Sequence, residues 1–144
     1  MNLVKHILDI KGHKVYAIDP GALVFDALRR MADNNVGSLV VLEDEKLVGI
    51  ITERVYAREI ALKGRTSSET LVADVMSTHV PCVRPEQTVE ECMAIMTKRA
   101  VRHLPVLQSG HVIGIVSIGD MVNSIISDQQ FVIEELEHFI HGER

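Results

Sequence analysis

Hydrophobic residues in the first part of the chain follow two different periodicities in turn. The short run 15–18 alternates as a strand does, and it stops before Pro20, which holds the preceding residue in extended geometry. The segment 24–32 then places apolar residues at i, i+3, i+4, i+7 and i+8, which is the spacing of an amphipathic helix. Two β-rich runs follow at 39–42 and 47–52. The pattern therefore predicts the order strand, helix, strand, strand.

The same order of elements recurs in the second half of the chain. A shift of 65 positions aligns residues 15–54 with residues 80–119 without a gap. The identical pairs include Pro20 with Pro85, Met31 with Met96, Leu39 with Leu104, Gly49 with Gly114 and Ile50 with Ile115. A further helix is predicted after each third strand, over 53–63 and from 119 to about 127. Proline and glycine that stay in register without a gap indicate an internal duplication.

We predict a mixed α/β (α+β) fold in which two tandem β-α-β-β-α repeats pack face to face with pseudo-twofold symmetry. Repeat 1 is assigned to residues 13–64 and repeat 2 to residues 77–127, with the linker 65–76 between them, of which 65–70 is polar and 71–76 leads into repeat 2. A leading helix over 1–12 and a C-terminal amphipathic helix over 128–144 are assigned outside both repeats. Because a repeat of this size cannot bury enough surface alone, the two are expected to pack together.

The C-terminal segment has an apolar stripe with helical spacing that belongs to neither repeat and consists of Val132, Ile133, Leu136, Phe139 and Ile140. An exposed apolar stripe of this kind is expected to be buried against another surface. Two-fold symmetric pairing of identical chains is the commonest arrangement that does this, so we predict a homodimer. His138 and His141 lie three residues apart on the same segment. That spacing permits metal binding but is more typical of a polar helix face, and no metal site is predicted.

Composition and charge argue against several classes of function. The net charge of −5 and the aromatic content of 3% disfavour nucleic-acid binding, which needs a basic surface and stacking rings. The apolar run 39–42 is far shorter than a membrane span, and the N-terminus lacks the apolar core of a signal peptide, so a cytoplasmic protein without membrane contact is expected. None of the seven histidines lies in an HxxxH or HExxH motif, and no enzymatic activity is predicted.

Four short motifs carry a resemblance to a known family. Each third strand closes on a similar sequence, Gly49-Ile50-Ile51-Thr52-Glu53-Arg54 in repeat 1 and Gly114-Ile115-Val116-Ser117-Ile118-Gly119-Asp120 in repeat 2. Together with Asp74-Val75-Met76-Ser77-Thr78 and Arg102-His103-Leu104-Pro105-Val106, they make residues 8–127 resemble a tandem pair of cystathionine-β-synthase (CBS) domains, a stand-alone Bateman-type module. The resemblance implies a regulatory module that binds AMP, ADP, ATP or an NAD-type dinucleotide, with S-adenosylmethionine less favoured, and that uses no catalytic cofactor. It also implies a flat dimer and a regulated partner protein.

The resemblance further implies two nucleotide-binding clefts, because family clefts take the end of the third strand from one repeat and the early strands from the other. Cleft A would combine Ser117, Gly119 and Asp120 with Lys11, Tyr16, Val36, Gly37 and Ser38. Cleft B would combine Thr52, Glu53 and Arg54 with Met76, Thr78, Pro81, Val101, Arg102 and His103.

Ser117 and Asp120 have the most specific chemistry among the residues of cleft A. An ionised carboxylate can accept hydrogen bonds from both hydroxyls of a ribose, and the serine hydroxyl can donate to a ribose or phosphate oxygen. The alternative is that the two residues only cap the helix that follows the strand. The residues alone give the two interpretations equal weight, and the repeat context favours ribose binding.

Arg54, Arg102 and His103 are the candidate phosphate contacts of cleft B. Arginine offers a planar fork of donors, and histidine adds a charge that depends on pH. By themselves, Arg102 and His103 are better explained as a solvated arginine and a packed histidine, and Arg54 is equally well explained by a surface salt bridge. The apolar cleft residues would enclose the adenine, but a core needs such residues in any case.

Val55 departs from the family pattern, because it occupies in repeat 1 the position that Asp120 has in repeat 2. Cleft B therefore lacks the expected ribose carboxylate. We expect either unequal clefts or a ligand that cleft B holds through its phosphates. A structural dimerisation module with empty clefts is the alternative to the sensor function as a whole.

Overall fold

The computed structural model describes residues 2–140, so Met1 and residues 141–144 lie outside the described chain. The helices are α1 (Val4–Lys11), α2 (Val24–Asn34), α3 (Glu53–Val55), α4 (Val72–Val75), α5 (Val89–Arg99) and α6 (Ile118–Ile140), with a π-helix at Tyr56–Ala61 directly after α3. The strands are β1 (Ala17–Ile18), β2 (Ser38–Glu43), β3 (Lys46–Thr52), β4 (His103–Gln108) and β5 (His111–Ser117).

Each repeat is built on an antiparallel hairpin, β2 with β3 in repeat 1 and β4 with β5 in repeat 2. The two hairpins have equivalent register, since Ser38 lies opposite Thr52 and His103 lies opposite Ser117. Both turns contain two residues with positive φ, as tight hairpin turns require. The predicted duplication is therefore present in the backbone as well as in the sequence.

The first strand differs between the repeats. In repeat 1, β1 pairs in parallel with β2, with Ala17 opposite Val40. In repeat 2, its counterpart is reduced to one parallel bridge between Val83 and Val106. Within residues 2–140, the sheet of repeat 1 thus has three strands in the order β1-β2-β3, and the sheet of repeat 2 has two.

The helices that enter the two repeats are exchanged between their cores. α1 precedes repeat 1 in sequence, yet Val4, Ile7 and Leu8 are buried in the core of repeat 2. α4 lies in the part of the predicted linker that leads into repeat 2, and Val72 and Val75 are buried in the core of repeat 1. The leading helix and part of the linker therefore belong to the packed body, and the exchange brings each entry segment next to the other repeat.

Two predicted helices differ from the structure. The helix predicted over 53–63 is one turn of α-helix, α3, that continues as the π-helix. The helices predicted at 119–127 and 128–144 form one continuous helix, α6, because no glycine or proline interrupts the chain from residue 120 to residue 140. The predicted break near residue 128 is absent. His141, at the far end of the predicted helix, lies outside the described residues.

The C-terminal part of α6 exposes its apolar side chains to solvent. Six apolar residues of this part are exposed, and the exposed fraction reaches 75% at Ile140. They are Phe131, Val132, Ile133, Leu136, Phe139 and Ile140. Between residues 2 and 140 no helix combines the length and the apolar content that crossing a membrane requires.

Candidate functional site

A cavity of about 840 Å³ opens between the two repeats at the carboxyl end of β3. Its volume lies in the range that sites for small ligands usually have. Repeat 1 contributes Gly37, Ile50, Thr52, Glu53, Arg54, Val55, Arg58 and Glu59. The end of the linker contributes Asp74, Val75 and Met76, and repeat 2 contributes Ser77, His79, Val80, Pro81, Ala100, Val101, Arg102 and His103.

The cavity contains most of the residues that were predicted for cleft B. Of the nine residues assigned to that cleft, eight line the cavity, and Thr78 does not. Thr78 lines a separate cavity of about 300 Å³, and its hydroxyl lies 3.4 Å from His79 Nδ1. Gly37, which was assigned to cleft A, lines cleft B instead.

Gly37 stands at the wall of cleft B because the start of β2 packs against the end of β3. Its carbonyl oxygen accepts a hydrogen bond from the Glu53 N–H at 3.2 Å. A Cβ at Gly37 would stand 2.9 Å from Glu53 Oε1 and 3.9 Å from His103 Nε2. Glycine at this position therefore allows the carboxylate and the imidazole to lie at the same wall.

Positive charges from both repeats face the cavity. Arg54 and Arg58 lie one helical turn apart after β3, and Arg102 directly precedes β4. Arg54 Nη1 donates to the carbonyl oxygen of Ala100 at 3.1 Å, which ties the repeats together. Within residues 2–140 the guanidinium groups of Arg58 and Arg102 make no hydrogen bond or ion pair. Both groups are therefore available to an anion.

Sequence reasoning missed four charged or titratable residues of this cavity, namely Arg58, Glu59, Asp74 and His79. A signal for Arg58 was present, because it lies four residues after Arg54, the spacing that puts two side chains on one helix face. Glu59 is already paired with Lys63 at 2.6 Å, so it does not cancel the charge of the arginines.

His103 is half-buried at the boundary between the two clefts. Burial lowers the pKa of its imidazole below the ordinary value, and the positive charge of Lys11 lowers that pKa further. The negative charges of Asp120 and Glu53 raise the pKa of His103 and so oppose these two effects. The ring is therefore neutral near pH 7, and an anion in the cavity would favour its protonated form.

Ser117 and Asp120 cap the start of α6. The Asp120 N–H donates to Ser117 Oγ at 3.2 Å, and the Ser117 N–H donates to Asp120 Oδ2 at 2.8 Å. Lys11 Nζ donates to the same Oδ2 at 2.7 Å and to the carbonyl oxygen of Ile115 at 2.8 Å. The capping role is thus present in the structure, and a ribose at Asp120 would share this carboxylate with Lys11.

The other residues assigned to cleft A lie mostly on the side of repeat 1. Tyr16 and Val36 are half-buried and pack against the core of repeat 1, and Ser38 is buried at the start of β2. Gly119 is exposed in the first turn of α6. In the described chain the hydrogen bonds of cleft A connect Lys11 with the helix cap, and these four residues take no part in that network.

Val55 keeps the backbone geometry of the position that it shares with Asp120. Its N–H donates to Thr52 Oγ1 at 3.1 Å, as the Asp120 N–H does to Ser117 Oγ. Val55 is half-buried, lines the cavity and packs against the core of repeat 1. Cleft B has therefore kept the capped turn and lost only the carboxylate.

A family model describes both repeats. The model of the CBS domain matches the chain twice, over residues 7–61 and 72–127. The chain therefore belongs to the CBS-domain family, as a tandem pair of these domains. In this family, CBS pairs are regulatory modules that bind adenosine-containing ligands.

Individual relatives agree with this assignment. The mitochondrial CBS domain-containing protein CBSX3 of Arabidopsis thaliana is 40% identical over 124 residues, which are 83% of this chain and 60% of that protein. A solved CBS-domain protein of Burkholderia ambifaria MC40-6 is 42% identical, with a TM-score of 0.85 and coverage of 89% of this chain and 96% of that one. The CBS domain pair of protein MJ0100, solved in complex with 5′-methylthioadenosine and S-adenosyl-L-methionine, shares the fold at 23% identity, with a TM-score of 0.77 and coverage of 89% and 98%.

Proposed function

We propose that this chain is a non-catalytic regulatory module that binds an adenine nucleotide in the clefts between its CBS repeats. The observation that carries the proposal is the cavity of cleft B, where unpaired guanidinium groups from both repeats face the same space. The ligands of the MJ0100 pair, which contain adenosine, support the same class of ligand. A ligand that contacts both repeats would couple their relative position to its own concentration, which is what a sensor requires. A cytoplasmic location stays a prediction.

In this proposal cleft B holds the phosphates of the nucleotide. Arg58 and Arg102 would donate to phosphate oxygens from opposite sides, and His103 would add a third donor from the wall of the cavity. Arginine suits this role because its planar fork matches the geometry of phosphate. Arg54 would position the turn through its bond to Ala100 rather than contact the ligand.

In cleft A the ribose would bind at Asp120. The Oδ2 atom already accepts from the Ser117 N–H and from Lys11, so a ribose hydroxyl would take the place of Lys11 or use Oδ1. Lys11 released in this way would be free to contact a phosphate of the same ligand. The two clefts therefore have different chemistry, with ribose recognition in A and phosphate recognition in B.

We expect cleft B to bind AMP and to bind adenosine poorly. Affinity for AMP should fall with rising salt, because the attraction between phosphate and arginine is screened. It should also rise as the pH falls through the range where His103 titrates, which lies below the ordinary histidine pKa because the ring is buried. Calorimetric titration of AMP and adenosine at two salt concentrations and several pH values measures all three effects.

Two arginine variants provide the matched comparison for this prediction. Arg102→Gln should weaken AMP binding at cleft B and reduce its salt dependence. Arg84→Gln removes the same charge from an exposed position of repeat 2 outside the cavity and should leave both unchanged. Equal affinity of cleft B for AMP and adenosine would rule out the phosphate role.

We also propose that the stripe on α6 joins two copies of the chain. Truncation after Ser127 or the substitution Leu136→Glu should then convert a dimer into a monomer, because either removes or charges the apolar surface. His138→Glu places the same charge on the opposite face of the helix and should leave the dimer intact. Sedimentation equilibrium distinguishes these outcomes, and a monomeric unmodified chain would contradict the proposal.

A further inference from the structure

Lys11 occupies polar groups of cleft A in the free protein. Its ammonium group donates to Asp120 Oδ2 at 2.7 Å and to the carbonyl oxygen of Ile115 at 2.8 Å. The side chains of Lys11 and Asp120 are 36% and 21% exposed, so the ion pair is partly shielded from solvent. Asp120 Oδ2 also accepts from the Ser117 N–H. A ribose that enters cleft A therefore meets a carboxylate that is already paired.

The carbonyl group that Lys11 holds is bonded differently in cleft B. Under the shift of 65 positions, Ile115 corresponds to Ile50, whose carbonyl oxygen accepts the Ser77 N–H at 2.9 Å. The difference arises in the entry segments, because α1 has eight residues and reaches Lys11, whereas α4 has four. The chain after α4 runs instead into a bridge between Ser77 and Ile50. Lys11 is thus a feature of cleft A that comes from the additional turn of α1.

This ion pair affects two classes of adenosine ligand differently. A ligand without phosphate that bonds both carboxylate oxygens of Asp120 must displace Lys11 from Oδ2, and it offers the ammonium group no anion in return. A ligand with a phosphate can supply that anion. The ammonium group then also offsets the repulsion between the phosphate and the carboxylate. A contact that penalises one ligand more than another is a general source of specificity.

We propose that Lys11 restricts cleft A to adenosine ligands that carry a phosphate group. The inference rests on the proposed function, since it assumes that Asp120 binds the ribose. On binding, the ammonium group exchanges the carboxylate for a phosphate oxygen. Breaking an ion pair of this exposure without replacement lowers affinity by about 3- to 10-fold. We therefore expect Lys11→Met to tighten adenosine binding by about this factor, and to weaken AMP binding because the phosphate then lies near an unpaired carboxylate.

The test is calorimetric titration of the full chain carrying Arg102→Gln, which weakens cleft B, with and without Lys11→Met. Adenosine and AMP are the two ligands, and the quantity measured is the ratio of their affinities. A fall in the preference for AMP in Lys11→Met supports the inference. A preference that is unchanged or larger overturns it and leaves the proposed function standing. Failure of both ligands to bind the unmodified chain overturns both.

Three further variants separate the charge of Lys11 from its part in the fold. Lys11→Arg keeps the positive charge and should keep the preference for AMP, so loss of the preference in this variant would contradict the role of the charge. Lys5→Met removes the same charge from an exposed position of α1 outside the clefts and should leave both affinities unchanged. If a melting curve shows that Lys11→Met is unfolded, Lys11→Gln keeps a donor for the Ile115 carbonyl and should lower the preference in the same way.

Discussion

Asp120→Asn is expected to weaken the binding of AMP at cleft A by about 10- to 150-fold. A hydrogen bond to a charged group contributes about 1.5–3 kcal/mol, and the substitution removes the charge while keeping the size of the side chain. The asparagine oxygen can still accept from the Ser117 N–H, so the helix cap is largely kept. Calorimetric titration of AMP measures the change in affinity, and a melting curve checks that the fold is intact.

The choice of asparagine follows from the bonds that Asp120 makes in the free protein. Substitution by alanine would remove the ribose acceptor together with the bonds that Oδ2 accepts from the Ser117 N–H and from Lys11, whereas the Asp120 N–H would still donate to Ser117 Oγ. From the sequence alone, Asp120→Ala is expected to leave the melting temperature of the free protein nearly unchanged, whereas the bonds that Oδ2 accepts predict a loss of stability. Asp128→Asn on the same helix is the matched control, because its carboxylate bonds Asn2 outside the clefts. If Asp120→Asn binds AMP as tightly as the unmodified chain does, the proposal that Asp120 recognises the ribose in cleft A is contradicted.

Gly49→Ala is expected to destabilise the protein and to open cleft B. A Cβ at Gly49 would stand 2.7 Å from Met76 Sδ and 2.8 Å from the Ser77 carbonyl oxygen. That carbonyl accepts the Ile50 N–H at 3.0 Å, so the backbone of the cleft wall must move. Overpacking of this kind costs about 1–3 kcal/mol. Thermal unfolding measures the loss of stability, and AMP titration measures the loss of affinity at cleft B.

Gly114→Ala is the matched control for this substitution, because Gly114 is the counterpart of Gly49 in repeat 2. The three atoms nearest to a Cβ there would all belong to the side chain of Leu8, with Cδ2 at 2.7 Å. The backbone of cleft B is not involved, so its affinity for AMP should stay unchanged and any loss of stability should be smaller. Equal loss of cleft B affinity in both variants would show that the effect is general and does not act through the Met76 wall.

The repeat is the part of the fold that the sequence predicts best. Pro20 with Pro85 and Gly49 with Gly114 fix the alignment of the two copies, and the register of the two hairpins follows from it. The residues of cleft B follow from the family resemblance, which implies that a cleft combines the end of the third strand of one repeat with the early strands of the other. Eight of the nine residues assigned to that cleft line one cavity.

The exchange of α1 and α4 could not be read from the sequence. The apolar spacing of Val4, Ile7 and Leu8 predicts a buried face but does not say which core receives it. The bond between Lys11 and Asp120 depends on that choice, since it joins α1 to repeat 2.

The continuous helix α6 was missed for a different reason: the polar residues 127–130 resemble a loop in composition but contain no residue that stops a helix.

Equilibrium dialysis of the full chain against labelled AMP, ATP, NAD and S-adenosylmethionine tests the central claim most directly. We expect saturable binding of at least one of these ligands. We also expect this binding to be lost when Asp120→Asn and Arg102→Gln are combined, because the two substitutions remove the ribose acceptor of one cleft and a phosphate donor of the other. Absence of binding by all four ligands to a correctly folded chain would contradict the account and support a dimerisation module with empty clefts.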